Sequence, residues 1–423
     1  MKRIAQRTWL IGVTALLLIT LVACSNKTGT GPNGETIIEM SGWGSSPEEQ
    51  ELLEGILEEF ERQHPDIVVE FQTISDQYMD VLKTRLIGKQ AADVFYMDAF
   101  EAPSMMEKGV LEPLNPYITK DFDLDDFEKP LLDAFVQEDT VYGLPKDFSP
   151  LALLYNEKAF QEAGLEGPPE TWEELREYSK KLTVDEDGDG QPERYGLGIS
   201  SELPRQFYKF KPYGATLVDE EGYADFASKE AIQALQPVVD QYVKDGTSAL
   251  PSDVGSNSAI EMFGQERAAM VLEGNWALPF LSNNYEELQF DAAEVPAIEG
   301  ERVTPAFTVA YVMNAQSEKK EAAWELISFL TGKEGMKQWT ETGFALPTRK
   351  SVIEDLGYED SQYRDAFVEG ASYAQPWQAG SKLAIIMNNF NNQFSSALLG
   401  KQTLQEALEK AEKTANNEIK ALE

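Results

Sequence analysis

Residues 142–175 read YGLPKDFSPLALLYNEKAFQEAGLEGPPETWEEL, and this stretch decides the architecture. Tyr142-Gly-Leu-Pro145 reads as a turn that closes an incoming strand, since glycine and proline together punctuate a chain. Residues 151–155 form an unbroken apolar run, the pattern of a strand covered on both faces. A helix is predicted to start near Glu157 and to stop at Gly164, a residue suited to the left-handed conformation that ends helices. Pro168 and Pro169 open a turn, and Thr171 with Glu174 supplies a Thr-x-x-Glu capping box for the next helix. Nothing in the stretch has catalytic spacing, so it points to recognition.

Working outward, the strand and helix signals alternate. Residues 36–41 form a strand. Ser46, Pro47 and Glu49 then start a helix as cap, first helical residue and third-position carboxylate. Leu52, Leu53, Ile56, Leu57 and Phe60 recur at helical spacing and face a sheet. Strands at 67–71 and 93–97 flank a helix at 77–87, which predicts a doubly wound α/β domain with a largely parallel sheet. A second α/β unit runs from about 151 to 306, with a buried strand at 268–272 and a turn at 273–277. Open α/β sheets bind ligands beyond the carboxyl ends of their strands, so two loops become candidate site segments. One carries Trp43 and Ser45, the other Asp98, Phe100 and Glu101. A third capping box, Thr403 with Glu406, starts a last helix that is read as packing only.

The 423-residue chain has a formal net charge of −37 and one cysteine, Cys24. Lys2, Arg3 and Arg7 precede an apolar stretch at 9–22, followed at once by Leu21-Val-Ala-Cys24. The expectation is a signal peptide at 1–23 and a flexible tether at 24–35, whose composition is small, polar and glycine-rich. Cleavage would remove three positive charges, taking −37 to −40. So acidic a surface repels nucleic acid and anionic headgroups, and no later run reaches the 18 or so apolar residues of a membrane span. His64 is the only histidine, so His-dependent zinc clusters and Cys-His nucleophile pairs are excluded. Gly-x-Ser-x-Gly and phosphate-cradling Gly-x-x-x-x-Gly-Lys motifs are absent. A binding protein, a two-carboxylate glycosidase and a structural surface lipoprotein remain.

The order YGLP, LLYN, a short helix ending in AGL, then PPETWEEL closely resembles the family 1 extracellular solute-binding proteins, the sugar receptors of ABC importers that include maltose-binding protein. The amino end resembles a bacterial lipoprotein signal. The resemblance implies two doubly wound α/β domains joined by a multi-crossover hinge, as in type II periplasmic binding proteins. The domains would comprise 36–147 plus 308–350 and 148–307 plus 351–423, with crossings near 146–150, 305–307 and 348–350. It implies a monomeric receptor, not an enzyme, that closes on a carbohydrate, a di- or oligosaccharide, and hands it to the permease's transmembrane subunits. A polyol or glycerol phosphate stands as the alternative ligand. Cys24 would carry the lipid, the protein's only contact with the membrane, on the outer face of the cytoplasmic membrane.

A sugar offers apolar ring faces and a rim of hydroxyls, so aromatic side chains and forked hydrogen-bonding groups recognise it. Trp9 lies in the signal, and Trp172, Trp324 and Trp339 sit in helical patterns read as packing. Trp43, Trp276 and Trp377 remain as platforms on loops. By the resemblance, Trp276 matches a stacking position, Trp377 and Gln378 lie on another ligand loop, and Tyr311 joins the set. Polar candidates are Asp98, Glu101, Lys146, Asp147, Ser149, Arg205 and Gln206. Separately, Asp185, Asp187 and Asp189 followed by Gly190 match the front of a calcium loop, with Glu193 at its ninth position. Position twelve is Gly196 rather than glutamate, so the alternatives are a structural calcium ion and a solvated acidic turn. No other cofactor is expected.

Overall fold

The computed structural model describes residues 30–31, 33–44, 47–343, 345–357 and 365–422. Cys24, expected to carry the lipid, the candidate Ser45 and the expected helix cap Ser46 lie outside them. Strands β1 (Thr36–Gly42), β2 (Ile67–Thr73) and β3 (Val94–Asp98) alternate with helices α1 (Pro47–Gln63) and α2 (Tyr78–Ile87). All three strands are parallel, in the order β2-β1-β3. Leu53, Ile56, Leu57 and Phe60 of α1 are buried against them, as the helical spacing predicts.

The stretch at 142–175 departs from expectation at one point. Tyr142-Gly-Leu-Pro145 is no turn: β4 (Gly143–Asn156) is a single strand of 14 residues. Two local features keep it extended. Gly143 packs directly on Val312 and Ala310 of the neighbouring strand, where a Cβ would collide. The pairing with that neighbour, β9 (Thr304–Met313), jumps from Pro145 opposite Ala310 to Asp147 opposite Val309. Lys146 is therefore the extra residue of a β-bulge, where an interrupted ladder tolerates proline. The rest follows the reading: α3 (Glu157–Glu162) ends before Gly164 at φ +67°, and Thr171 Oγ1 accepts from Glu174 N at the start of α4 (Trp172–Leu182).

Residues 143–150 of β4 pair with β9, and residues 151–155 pair with β7 (Met270–Gly274). One strand thus belongs to two neighbourhoods, with β5 (Leu197–Gly198) and β6 (Ser248–Ala249) continuing beyond β7. The strands that cross are antiparallel, a departure from the largely parallel sheet expected. One apolar cluster gathers Ile38, Phe95 and Leu144 with Val312 and Trp339. Another gathers Leu153, Leu175 and Phe226 with Phe390 and Leu408, from helices that close the chain. The helix at Lys350–Leu356, expected in the second unit, packs Val352 on Phe127 and Met336 instead. Buried Arg349 just before it donates to Thr331 O and Asp126, fixing that placement.

Candidate functional site

A cavity of about 800 Å³ opens where the carboxyl ends of β1 and β3 meet the loops around β7. Trp43 follows β1, half-buried, and meets the edges of Tyr78 and Tyr96 at 5.1 and 5.2 Å. Gly42 is required just before it, since a Cβ there would enter the Tyr96 ring. Asp98 ends β3 and opens its edge to the cavity, with Phe100 N–H donating to it at 3.2 Å. Burial, together with the nearby carboxylates of Glu101 and Asp147, pushes the Asp98 carboxyl up to about 7.

The bulge supplies the cavity floor. Bulging re-aims the Lys146 side chain, which lies 3.7 Å over the Trp339 ring and 4.9 Å from the Tyr96 centroid. Its Nζ pairs with Asp147 Oδ2 at 2.5 Å, and Trp339 Nε1 donates to the same oxygen at 2.7 Å. A buried charge pair this well satisfied forms a rigid corner, not a free ionic site.

The opposite wall comes from the second half of the chain. Arg205 pairs with Glu273 at 2.9 Å and lies about 5.5 Å from the rings of both Trp276 and Phe307. Behind it, Lys209 donates to Arg205 O, Gln206 Oε1 and Tyr208 Oη, and burial drives its ammonium well below the usual lysine range. Ser149 lines the cavity, but its hydroxyl is bonded to Asn275, so it holds the turn that carries Trp276. That turn needs Gly274, where a Cβ would collide with the Trp276 indole. Helix α5 (Ala277–Asn284) then continues to the mouth.

Seven predicted site residues therefore meet at the cavity: Trp43, Asp98, Lys146, Asp147, Ser149, Arg205 and Trp276. Six predicted residues do not line it. Trp377 is 2% exposed, packed on Phe207 at 4.6 Å and Phe100 at 6.5 Å, so it and Phe100 fill a core. Gln378 spends its amide on Ala99 O and Ala134 O, and Gln206 donates to Ser200 O. Glu101 is held by Lys83 at 2.8 Å. Tyr311 is buried edge-on against Tyr96. Conversely, Trp339 was read as packing yet lines the floor, because its indole edge reaches Asp147, 192 positions away in the chain. Phe307 and Phe280 carried no local signal either.

The acidic loop lies apart from the cavity. One carboxylate oxygen each of Asp185, Asp187 and Asp189 falls within 4.8 Å of the others, and all three residues are exposed. Asp185 accepts from Gly188 N and Gly190 N, while Glu193 turns to Glu186 N. No helix among the described residues is long and apolar enough to cross a membrane.

The chain matches the model of the bacterial extracellular solute-binding protein family over residues 43–337. It is 24% identical to the galactooligosaccharide-binding protein of Bacillus subtilis, over an alignment covering 99% of each chain. Its fold is similar to that of an ABC substrate-binding protein from Listeria monocytogenes solved with cycloalternan, with a TM-score of 0.82, 25% identity and coverage of 91% of this chain and 99% of that one. The maltose/maltodextrin-binding domain of Bdellovibrio bacteriovorus, solved with maltotriose, matches at a TM-score of 0.78 and 22% identity, covering 91% and 100%. With the two-unit α/β fold and the cavity at its strand ends, the match over most of its length makes this chain a member of the bacterial extracellular solute-binding protein family.

Proposed function

We propose that the protein is the receptor of an ABC importer and binds a carbohydrate, a di- or oligosaccharide, in the cavity between its two units. One observation carries this reading: Trp43 and Trp339 from the first unit and Trp276 from the second line the same cavity, together with charged groups of both signs. Aromatic faces suit the C–H faces of sugar rings, and the Arg205 guanidinium with the Asp98 carboxyl suits hydroxyls that both donate and accept. Glu49, Asp98, Asp147 and Glu202 outnumber Lys146 and Arg205 along the lining, which disfavours glycerol phosphate. Relatives and neighbours named for galactooligosaccharide, cycloalternan and maltotriose support a sugar.

On this reading, residues 36–147 plus 308–356 close against 148–307 plus 365–422 about the crossings in β4 and β9 and after the helix Lys350–Leu356. Hinge motion in binding proteins is a general device, here built on strands shared by both halves. The cavity is complete within one chain, which supports a monomer. Cys24 would carry the lipid anchor on the outer face of the cytoplasmic membrane, and the cleft rim would meet the permease. The acidic loop at Asp185, Asp187 and Asp189 is the candidate place for a structural calcium ion, remote from the sugar.

A thermal-shift screen over mono-, di- and oligosaccharides, followed by calorimetry, tests the reading, since a ligand that binds only the folded state raises the melting temperature. A shift with one-to-one binding and sugar recovered intact is the expected result. Shortened products would make the protein a glycosidase, and no shift with any sugar would remove the receptor assignment.

A further inference from the structure

Helix α5 runs outward from the deep cavity. Trp276, at its amino end, is half-buried, whereas Phe280 one turn later is 37% exposed, one of few large apolar side chains left open among the described residues. Both line the same cavity, as do Asn283 and Asn284 at the last turn. Asn284 Nδ2 is spent on Phe280 O, leaving its carbonyl free, and Asn283 makes no side-chain hydrogen bond among the described residues. Four residues of helix advance about 6 Å, close to the length that one pyranose ring adds to a chain. At about 800 Å³ the cavity sits toward the upper end of the roughly 300–1,000 Å³ of small-molecule sites, more than a single ring fills.

We propose that α5 is the ruler of this cavity: a linear oligosaccharide lies along it, with an inner ring at Trp276 and an outer ring on Phe280, whose hydroxyls meet Asn283 and Asn284. The inference rests on the carbohydrate reading above and deepens it by assigning chain length to one helix. An exposed phenyl ring at a cavity mouth is costly to keep in water and gains from being covered by a sugar face. Asparagine amides at the same end supply the donor and acceptor pairs that successive hydroxyls need. A monosaccharide seated at Trp276 would leave Phe280 uncovered, so affinity should climb with each ring until the mouth is filled.

Calorimetry on the full chain with glucose, maltose, maltotriose and maltotetraose, and with galactose- and mannose-based series of the same lengths, tests this. The readout is the ratio of trisaccharide to monosaccharide affinity within whichever series binds. In the unaltered protein that ratio should exceed ten, and Phe280→Ala should reduce it roughly three- to tenfold, the scale of one aromatic contact. Trp276→Ala should lower affinity across the series. If the ratio is unchanged in Phe280→Ala, or if affinity in the unaltered protein does not rise with length, the α5 subsite is wrong while the receptor stands. If no saccharide of any series binds, the receptor reading fails and this inference with it.

Discussion

Trp276 and Trp377 occupy like places in the sequence, each on a loop after a strand-like segment, yet they meet opposite fates. Trp276 stands half-open in the cavity beside Arg205 and Phe307, while Trp377 is sealed between Phe207 and Phe100. A loop position frees a side chain from a helix or sheet face but does not choose the side it takes. What chooses here is close packing: Gly274 leaves room for the Trp276 indole, and Phe207 supplies a ring against Trp377. The lesson is that aromatic residue type and loop position nominate a platform, and tertiary neighbours decide it.

The comparison breaks most readily on stability. Trp377→Ala should cost about 3–5 kcal/mol, as for other buried aromatic truncations, measured by chemical denaturation. A loss below 1 kcal/mol or so would mean that its core role is misread. Trp276→Ala should leave the melting temperature within a few degrees and weaken sugar binding ten- to a hundredfold, or about 1.4–2.8 kcal/mol, by calorimetry. Intact affinity there would move the platform elsewhere. Trp339→Phe sharpens the contrast from the other side, because it keeps a ring under Lys146 but deletes the donor to Asp147. The expected cost is about 1–2 kcal/mol in stability together with weaker binding; loss of stability alone would return Trp339 to the packing role that its helical spacing suggested.

The smallest effect concerns acids rather than rings, and repeats the contrast. Glu101 is satisfied by Lys83, whereas Asp98 faces the cavity with one backbone donor and a carboxyl held at about 7. The folded protein therefore keeps a proton that the unfolded chain, with aspartate near 3.9, has released. This group's contribution is full at low pH and is lost as pH rises through about 7. Relative to the wild type, Asp98→Asn should thus gain stability as pH rises from about 4 to about 7, followed by melting temperature. A difference that stays flat across that range would show the carboxyl to be solvated.

Much of the fold was legible because its signals are local. The period of Leu53, Ile56 and Phe60, the left-handed Gly164 and the boxes at Thr171 and Thr403 all depend on neighbours within a turn or two. The continuity of β4 was not, since Gly143 and Pro145 look like a turn until β9 from the far side of the chain pairs with them and a bulge absorbs Lys146. The site divided the same way. Trp43 and Asp98 were found from strand ends, a rule of topology, and Lys146, Asp147 and Arg205 by the resemblance of their segments. Trp339 was hidden by a helical pattern that was itself correct: the residue packs and lines the cavity at once.

The interleaving of the apolar clusters also sets a schedule for assembly. Ile38 and Phe95 share a core with Val312 and Trp339, so the amino-terminal unit cannot bury its apolar surface until most of the chain has been made. Strand β4 is flanked by β9, which is synthesised long afterwards, and its pairing is of the slow, non-local kind. The nascent protein therefore passes through a long interval with open strand edges, the state in which aggregation competes with folding. The same interleaving ties the halves into one cooperative unit, so neither should survive as an isolated fragment.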